Sequence, residues 1–287
     1  MYPVLFRIGD FAITSFGVMM ALAFLIGGWI LSKELQRKGD NPELAWELVW
    51  YAAIGGVVGA RLYYLVLTWP QTVADPWGAI TSRGGLVWYG GLIGASALIY
   101  WRLHRANVPV LRIADAVAPA LAVAYAVGRL GCFLVGDDYG RPSDVPWAIA
   151  FPEGAPPSTA ENLREQFGVP IPPGVPGDTV LAVHPTQLYE IAMSLIIFAI
   201  VWRLRERISP AGALFAIYIA LAGIERFIVE IFRAKDDRFF GAFTMAQLIS
   251  IALVIAGVVG AAYLMSRRRD VDGQVPVAGS SSAGRAR

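Results

Sequence analysis

Apolar residues dominate this chain in runs of about twenty, broken by short polar loops, and that pattern is where its architecture is written. A helix rises about 1.5 Å per residue, so about 20 apolar residues cross the hydrocarbon core of a bilayer. Seven such runs are predicted, at roughly 11–31, 48–67, 86–101, 113–133, 185–202, 211–232 and 244–265. The third is short as drawn. The first is too long for the apolar region of a signal peptide and lacks a clear small-x-small cleavage site, so it is read as a span. The fold class expected is an all-α integral membrane protein of about seven transmembrane helices.

Loop charges set the expected orientation. Lys33, Arg37 and Lys38 follow the first span; Arg102, Arg105 and Arg112 the third; Arg203, Arg205 and Arg207 the fifth; Arg267, Arg268 and Arg269 the last. The alternate segments are poorer, with Arg7, Arg83, Arg141 and Arg164. The positive-inside rule then places the N-terminus outside and the C-terminus in the cytoplasm. Arg233, Lys235 and Arg238 break the rule on the outer side, which suggests that they serve a site. Residues 1–268 form one membrane-embedded domain, with 134–184 a Pro- and Gly-rich extracytoplasmic insertion too short for a large core of its own. Residues 269–287 read as a disordered cytoplasmic tail.

Composition narrows the chemistry. Of 287 residues, 56% are hydrophobic and 16% charged, with mean hydropathy +0.54, against about 25% charge in ordinary soluble domains. One cysteine, Cys132, excludes an internal disulfide, and two histidines, His104 and His184, argue against a His-rich metal site. No metal and no organic cofactor is expected, and no nucleic-acid motif occurs.

The unusual polar residues converge on one side. On the expected topology, Arg61, Tyr89, Arg129, His184, Arg226, Glu230 and Arg233 all lie toward the outer leaflet. Arg226, Glu230 and Arg233 share one helix face, at spacings i, i+4 and i+7. Asp115, near the inner end of the fourth span, is the exception and reads as a structural carboxylate. For Arg129 the bland alternative is a side chain snorkelling to the interface above a glycine-packed helix. Several guanidiniums at lipid depth suit a phosphate diester, which the planar fork binds bidentately. The convergence points to an anionic-lipid site on the extracytoplasmic side without giving the reaction.

Five blocks carry a resemblance. They are Gly-Gly-Leu at 84–86 with Trp-Tyr-Gly-Gly-Leu-Ile-Gly at 88–94; Gly128-Arg129-Leu130-Gly131-x-Phe133 with Gly136 and Gly140; His184-Pro185-Thr186-Gln187-Leu188-Tyr189-Glu190; Arg226-Phe227-Ile228-Val229-Glu230-x-Phe232-Arg233; and Met245 with Gln247-Leu248-Ile249-Ser250. In order and spacing they resemble the bacterial phosphatidylglycerol–prolipoprotein diacylglyceryl transferases. That family moves the diacylglyceryl group of phosphatidylglycerol onto the cysteine thiol of a lipoprotein signal peptide, forming a thioether and releasing glycerol phosphate. The partners implied are therefore phosphatidylglycerol, prolipoprotein signal peptides and membrane lipid, in the bacterial cytoplasmic (inner) membrane. A monomer suffices for such chemistry.

By that resemblance Arg129 and Arg226 bind and polarise the phosphate, and Glu230 orients Arg226 or holds the polar network. Tyr89, with Gly90 and Gly91, lines the head-group cavity. Arg61, Asp137, Gly140 and Arg233 join the substrate-binding set. His184 is either a proton acceptor or a structural group at a helix start. The thiol base stays unassigned. Departures from the family pattern are Cys132 for Asn, Asp137 for Glu and Phe16 for Tyr. They keep open an alternative, a divergent paralogue that binds or modifies an anionic lipid without transferase activity.

Overall fold

A computed structural model describes residues 1–9, 11–81, 85–235, 238–240 and 243–273. Arg83 and the side chain of Arg238 lie outside the described residues, as does the expected tail from residue 274 onward. The chain is mostly helical. It opens with strands β1 (Val4–Ile8) and β2 (Phe11–Thr14), then runs α1 (Ser15–Arg37), α2 (Glu43–Leu67), the short helices α3 (Trp69–Ala74) and α4 (Pro76–Thr81), α5 (Trp88–Arg105) and α6 (Val110–Val135). Strand β3 (Ile149–Ala150), helix α7 (Ala160–Glu165) and strand β4 (Ala182–Val183) follow. The chain then continues through α8 (Thr186–Leu204), α9 (Ala213–Phe232), β5 (Arg238–Phe240), β6 (Phe243–Thr244) and α10 (Met245–Gly273). The strands form three separate antiparallel pairs among the described residues.

Five helices, α1, α2, α6, α8 and α10, are long and apolar enough to cross a membrane. Their outer faces carry large apolar side chains in the open, such as Trp50, Val57 and Val66 on α2 and Ile255 and Val259 on α10. Water tolerates such continuous patches poorly, whereas lipid is their natural solvent. The helices run several residues past the expected spans at some ends, as α1 to Arg37 and α2 from Glu43, and the start of the first changes in kind. The apolar run from 11 starts as a strand, because Phe11–Thr14 pairs with β1. The helix begins only where the Thr14 hydroxyl accepts the Gly17 N–H at 3.1 Å, an N-cap.

In lipid, helices associate through close packing rather than apolar burial, and small residues permit it. Helix α2 lies against α5 through two facing Gly-xxx-Gly pairs, Gly55/Gly59 and Gly90/Gly94. A methyl on Gly55 would stand 2.6 Å from the Gly94 carbonyl oxygen. Helices α1 and α6 pair similarly, and α9 packs on α10 through Gly223 and Gly257. Helix α6 is central, touching α1, α8 and α9.

The insertion at 134–184 has a small core of its own, built from Tyr139, Phe151, Leu163, Val169 and Val183. It rests on the bundle, where Gly140 N–H donates to the His184 carbonyl and Arg141 N–H to the Phe232 carbonyl, each at 2.8 Å. On the opposite side of the molecule Glu34, buried in α1, meets Arg37 at 2.8 Å and Arg205 at 2.9 Å. Asp115 is structural, as its place in the sequence suggested. Its carboxylate accepts the backbone N–H groups of Gly212 at 2.8 Å and Phe215 at 2.9 Å, capping the start of α9 from a different helix. Replacing Asp115 by Ala leaves those two buried donors unmet and is expected to cost about 1–3 kcal/mol. The check is a lowered thermal midpoint in detergent, with Asp115→Asn losing less.

Candidate active site

Arg129 lies in the last two turns of α6, where the chain must turn back sharply. Gly136 ends the helix at φ +73°, its N–H reaching the Cys132 carbonyl at 2.8 Å. Asp138 follows at φ 56°, a left-handed conformation that aspartate tolerates better than most residues. The turn brings Asp138 back over the helix end. Gly140 completes it because there is no room for a side chain: a methyl there would sit 2.7 Å from His184 Cβ. Thr186 and Gln187, at the start of α8, hold the turn by donating to the carbonyls of Asp138 (2.6 Å) and Asp137 (2.5 Å).

These pieces assemble an alternating chain of charge. Arg129 Nε donates to Glu190 Oε2 at 2.5 Å, and Glu190, on α8, is 1% exposed. Tyr125, one turn before Arg129, donates its hydroxyl to Glu190 Oε1 at 2.8 Å. Arg129 Nη1 reaches Asp138 Oδ2 at 3.0 Å and Cys132 Sγ at 3.5 Å. The other oxygen of Asp138 takes Arg233 Nη2 at 2.9 Å. Arg233 stands 3.9 Å from Glu230, which is ion-paired with Arg226 one turn back. Arginines and carboxylates alternate along this path, so each guanidinium has an acid partner, while Arg226 Nη1 is buried without a hydrogen-bond partner among the described residues. An anion that reaches Arg129 shares it with a carboxylate, and Asp138 is the least buried of the three.

The two acids of the turn differ in character. Burial and the neighbouring Asp138 push the Asp137 carboxyl above its ordinary range. Burial also opposes ionisation of Asp138, but Arg233 and Arg129 outweigh it and hold that carboxyl below the usual value. His184 is pushed down by burial, so it is neutral at neutral pH; its Nδ1 lies 3.0 Å from the Tyr189 hydroxyl, which also accepts Trp147 Nε1 at 2.6 Å.

A cavity of about 500 Å³ opens between α1, α2, α5 and α6. Its walls are apolar, with Phe16, Met20, Phe24, Leu31, Leu48 and Leu121 among them. At one end stand Tyr125, Arg129, Cys132, Asp137 and Asp138. Gly128 lines it too, and a side chain there would meet open space. The result is a long greasy slot ending in a guanidinium.

Not every expected residue faces that slot. Arg233, Glu230 and Arg226 stand behind Asp138, joined to Arg129 through ion pairs. Tyr89 is 45% exposed and packs edge-on against Trp88, which does line the cavity. Gly90 and Gly91 lie in the α2–α5 seam, where Gly91 would bring a methyl 3.2 Å from the Gly56 carbonyl. Arg61 ties α2 to the segment after it, donating to the carbonyls of Ala79 and Gly85. His184 backs onto Phe232 and Tyr189 rather than the cavity. Three participants were missed: Asp138, masked by its neighbour Asp137; Glu190, seen only as part of a motif; and Tyr125. The one local signal for Tyr125 is its i, i+4 spacing to Arg129.

The Cys132 thiol and the Asp137 and Asp138 carboxylates place donor atoms within 4.8 Å of one another. A metal fits poorly there, since Arg129 already contacts the sulfur and Asp138, and Arg233 holds the other Asp138 oxygen.

The chain is similar to known proteins over nearly its whole length. The family model described as "Prolipoprotein diacylglyceryl transferase" matches residues 3–263. A protein of Geobacter sulfurreducens named phosphatidylglycerol–prolipoprotein diacylglyceryl transferase is 33% identical over 283 residues, covering 93% of this chain and 96% of its own. One of the same name from a Nostoc species is 32% identical over 286 residues, covering 96% and 94%. Another, from Aeromonas salmonicida, is 30% identical over 280 residues, covering 91% and 90%. With the family model matching residues 3–263, nearly the whole length, this chain belongs to the prolipoprotein diacylglyceryl transferase family.

Proposed function

We propose that this protein transfers the diacylglyceryl group of phosphatidylglycerol to the thiol of the lipobox cysteine in prolipoproteins, forming a thioether and releasing glycerol phosphate. The observation that carries the reading is the apolar cavity that ends at Arg129. Acyl chains suit its walls, and a phosphate diester suits a guanidinium at its mouth. In the reaction the thiolate sulfur attacks the glyceryl carbon, the carbon–oxygen bond breaks, and its electron pair leaves on the phosphate oxygen. Negative charge grows on the phosphate, and Arg129 opposes it in a water-poor setting where such a contact is strong.

In this reading Arg129 is the direct phosphate ligand. Arg226, Glu230 and Arg233 act through Asp138, whose hold on Arg129 the phosphate loosens on arrival. Tyr89 stands by the cavity mouth beside Trp88, and Gly90, Gly91 and Gly140 serve by permitting close packing that fixes neighbouring walls. Asp137 borders the head group, Arg61 braces the outer end of α2, and His184 is a neutral structural group. The divergent-paralogue alternative loses ground, since relatives named as the transferase match over nine-tenths of the chain.

The same reading puts α5 and α9 in the membrane beside the five long apolar helices. That makes seven spans, with the N-terminus outside and the C-terminus in the cytoplasm. The site then opens on the outer leaflet of the bacterial inner membrane, where phosphatidylglycerol and a translocated signal peptide meet. Residues 1–268 act as one membrane domain, and a monomer holds every group the reaction uses.

Purified protein given phosphatidylglycerol and a lipobox peptide is expected to add a diacylglyceryl mass to the peptide cysteine, and a chelator should leave the rate unchanged. Arg129→Ala should lower kcat/KM by about 100-fold or more, Arg226→Ala should also lower it, and Arg129→Lys should restore little because an ammonium lacks the fork. Well-folded protein that yields no adduct with any phosphatidylglycerol tested would sink the reading. A second expectation concerns pH. The folded-state pKa of Asp138 is depressed, so its stabilisation is complete above the unfolded value of about 3.9 and is lost as pH falls through the folded one. Asp138→Asn should therefore lower the thermal midpoint at neutral pH and narrow its gap to wild type under strong acid.

A further inference from the structure

The cavity that ends at Arg129 has two unlike ends. Near Arg129 its lining is open to the surroundings. Phe16 and Met20 on α1, Tyr125 on α6 and, at mid-depth, Leu121 are 37–39% exposed. At the far end Leu31, Leu48 and Ala120 are buried. Four helices build that end in the same way. Leu31 on α1, Leu48 on α2, Ile99 on α5 and Val117 on α6 line the cavity. One turn deeper on each helix stands a buried residue of one packed core: Leu35, Leu44, Leu103 and Ile113. A chain that enters from the Arg129 end therefore meets a closed floor.

The dimensions match one hydrocarbon chain. Phe16 and Leu31 line the cavity about four turns apart on α1, and Cys132 and Val117 are as far apart on α6, a depth of about 22 Å. An extended, staggered polymethylene advances about 1.25 Å per carbon, given bonds of about 1.5 Å, so this depth takes about 17 carbons. Volume leads to a similar figure: a protein cavity of about 150 Å³ holds a benzene, with its six carbons, so about 500 Å³ holds about 20. Two such chains need about twice that space. Lipid is as apolar as these walls, so a chain gains little by moving from the bilayer into the slot. Fit is what the slot adds. A close-packed floor resists an end that overruns it, and a chain that stops short leaves a void.

We propose that the slot takes one acyl chain of the diacylglyceryl donor while the other stays in the bilayer, and that the floor at Leu31 and Leu48 limits the bound chain to about 16–18 carbons. The proposal rests on the transferase reading for the identity of the donor. The phosphate on Arg129 fixes one end of the lipid, and the floor measures from it. Ala52, one turn above Leu48 on α2, also lines the slot and is a specificity position. A larger side chain there raises the floor, and a smaller one at Leu48 lowers it.

Competition between phosphatidylglycerols in one detergent mixture reads the limit through the masses added to a lipobox peptide. Wild type is expected to use the dipalmitoyl and the mixed palmitoyl–behenoyl lipids and to discriminate against the dibehenoyl lipid about tenfold or more. Dibehenoyl lipid used as well as dipalmitoyl overturns the limit, and refusal of the mixed lipid overturns the assignment of one chain. Ala52→Leu should raise the ratio of dimyristoyl to dipalmitoyl product about tenfold, and Leu48→Ala should shift use toward the dibehenoyl lipid. A loosened fold lowers all products together and does not move the two variants in opposite directions. Ratios that stay fixed, or move the same way in both, overturn the floor; so do variants that change only which peptides are used, since the slot then holds signal-peptide side chains. Mass spectrometry of lipid retained by the same proteins separates the two readings. No adduct, with retained phosphatidylglycerol shifted in opposite directions by the variants, sinks the transferase reading and leaves the slot standing. Adduct with unshifted chains does the reverse.

Discussion

A guanidinium can remain within an apolar bundle only if an acid meets it there, and the contact between Arg129 and Glu190 is the constraint on which the rest of the site depends. It fixes the register of α6 against α8, since a turn of slippage would leave two uncompensated charges. With that register set, the polypeptide leaving α6 has one way to complete the shell. It turns at Gly136, lays Asp138 across the arginine and is clamped by Thr186 and Gln187 at the start of α8. Asp138 in turn recruits Arg233, which explains a basic residue on the side of the molecule where loop charge is otherwise sparse.

The second constraint is steric. Lipid offers helices no apolar driving force toward one another, so the bundle is assembled through glycines that let backbones touch. The α2–α5 seam and the α9–α10 seam both work this way. Close packing along those seams contrasts with the space left between α1, α2, α5 and α6, where bulky side chains stand apart around the cavity. Closely packed seams and an open cavity thus stand side by side, and the cavity ends at Arg129.

Much of this was legible from one dimension, and the exceptions have physical reasons. The long apolar helices follow from run length alone. The start of α1 did not, because Phe11–Thr14 is as apolar as a helix and only its pairing with β1 makes it a strand. Arg129 stood out as a charge in apolar surroundings, but its partner Glu190 lies 61 residues away and looks like any acid at a helix start. Asp138 was hidden beside Asp137, since which of two adjacent acids reaches back depends on a left-handed backbone that composition does not reveal. Gly90, Gly91 and Gly140 read in the sequence as glycines that let a head group approach, and what approaches them in the structure is protein backbone or a neighbouring side chain.

The cap that Asp115 places on α9 has a bearing on how the protein is made. Its two hydrogen bonds span 97 and 100 residues of sequence, so the first turn of α9 is completed by a helix synthesised far earlier. Domains emerge N-terminal part first during translation, and the acceptor is therefore waiting when α9 arrives. Helix α9 carries Arg226 and Glu230 near its other end, so it is seated by a contact at the end of the helix away from them. The contact gives α9 a docking point that is synthesised before it, on a helix that α9 also packs against.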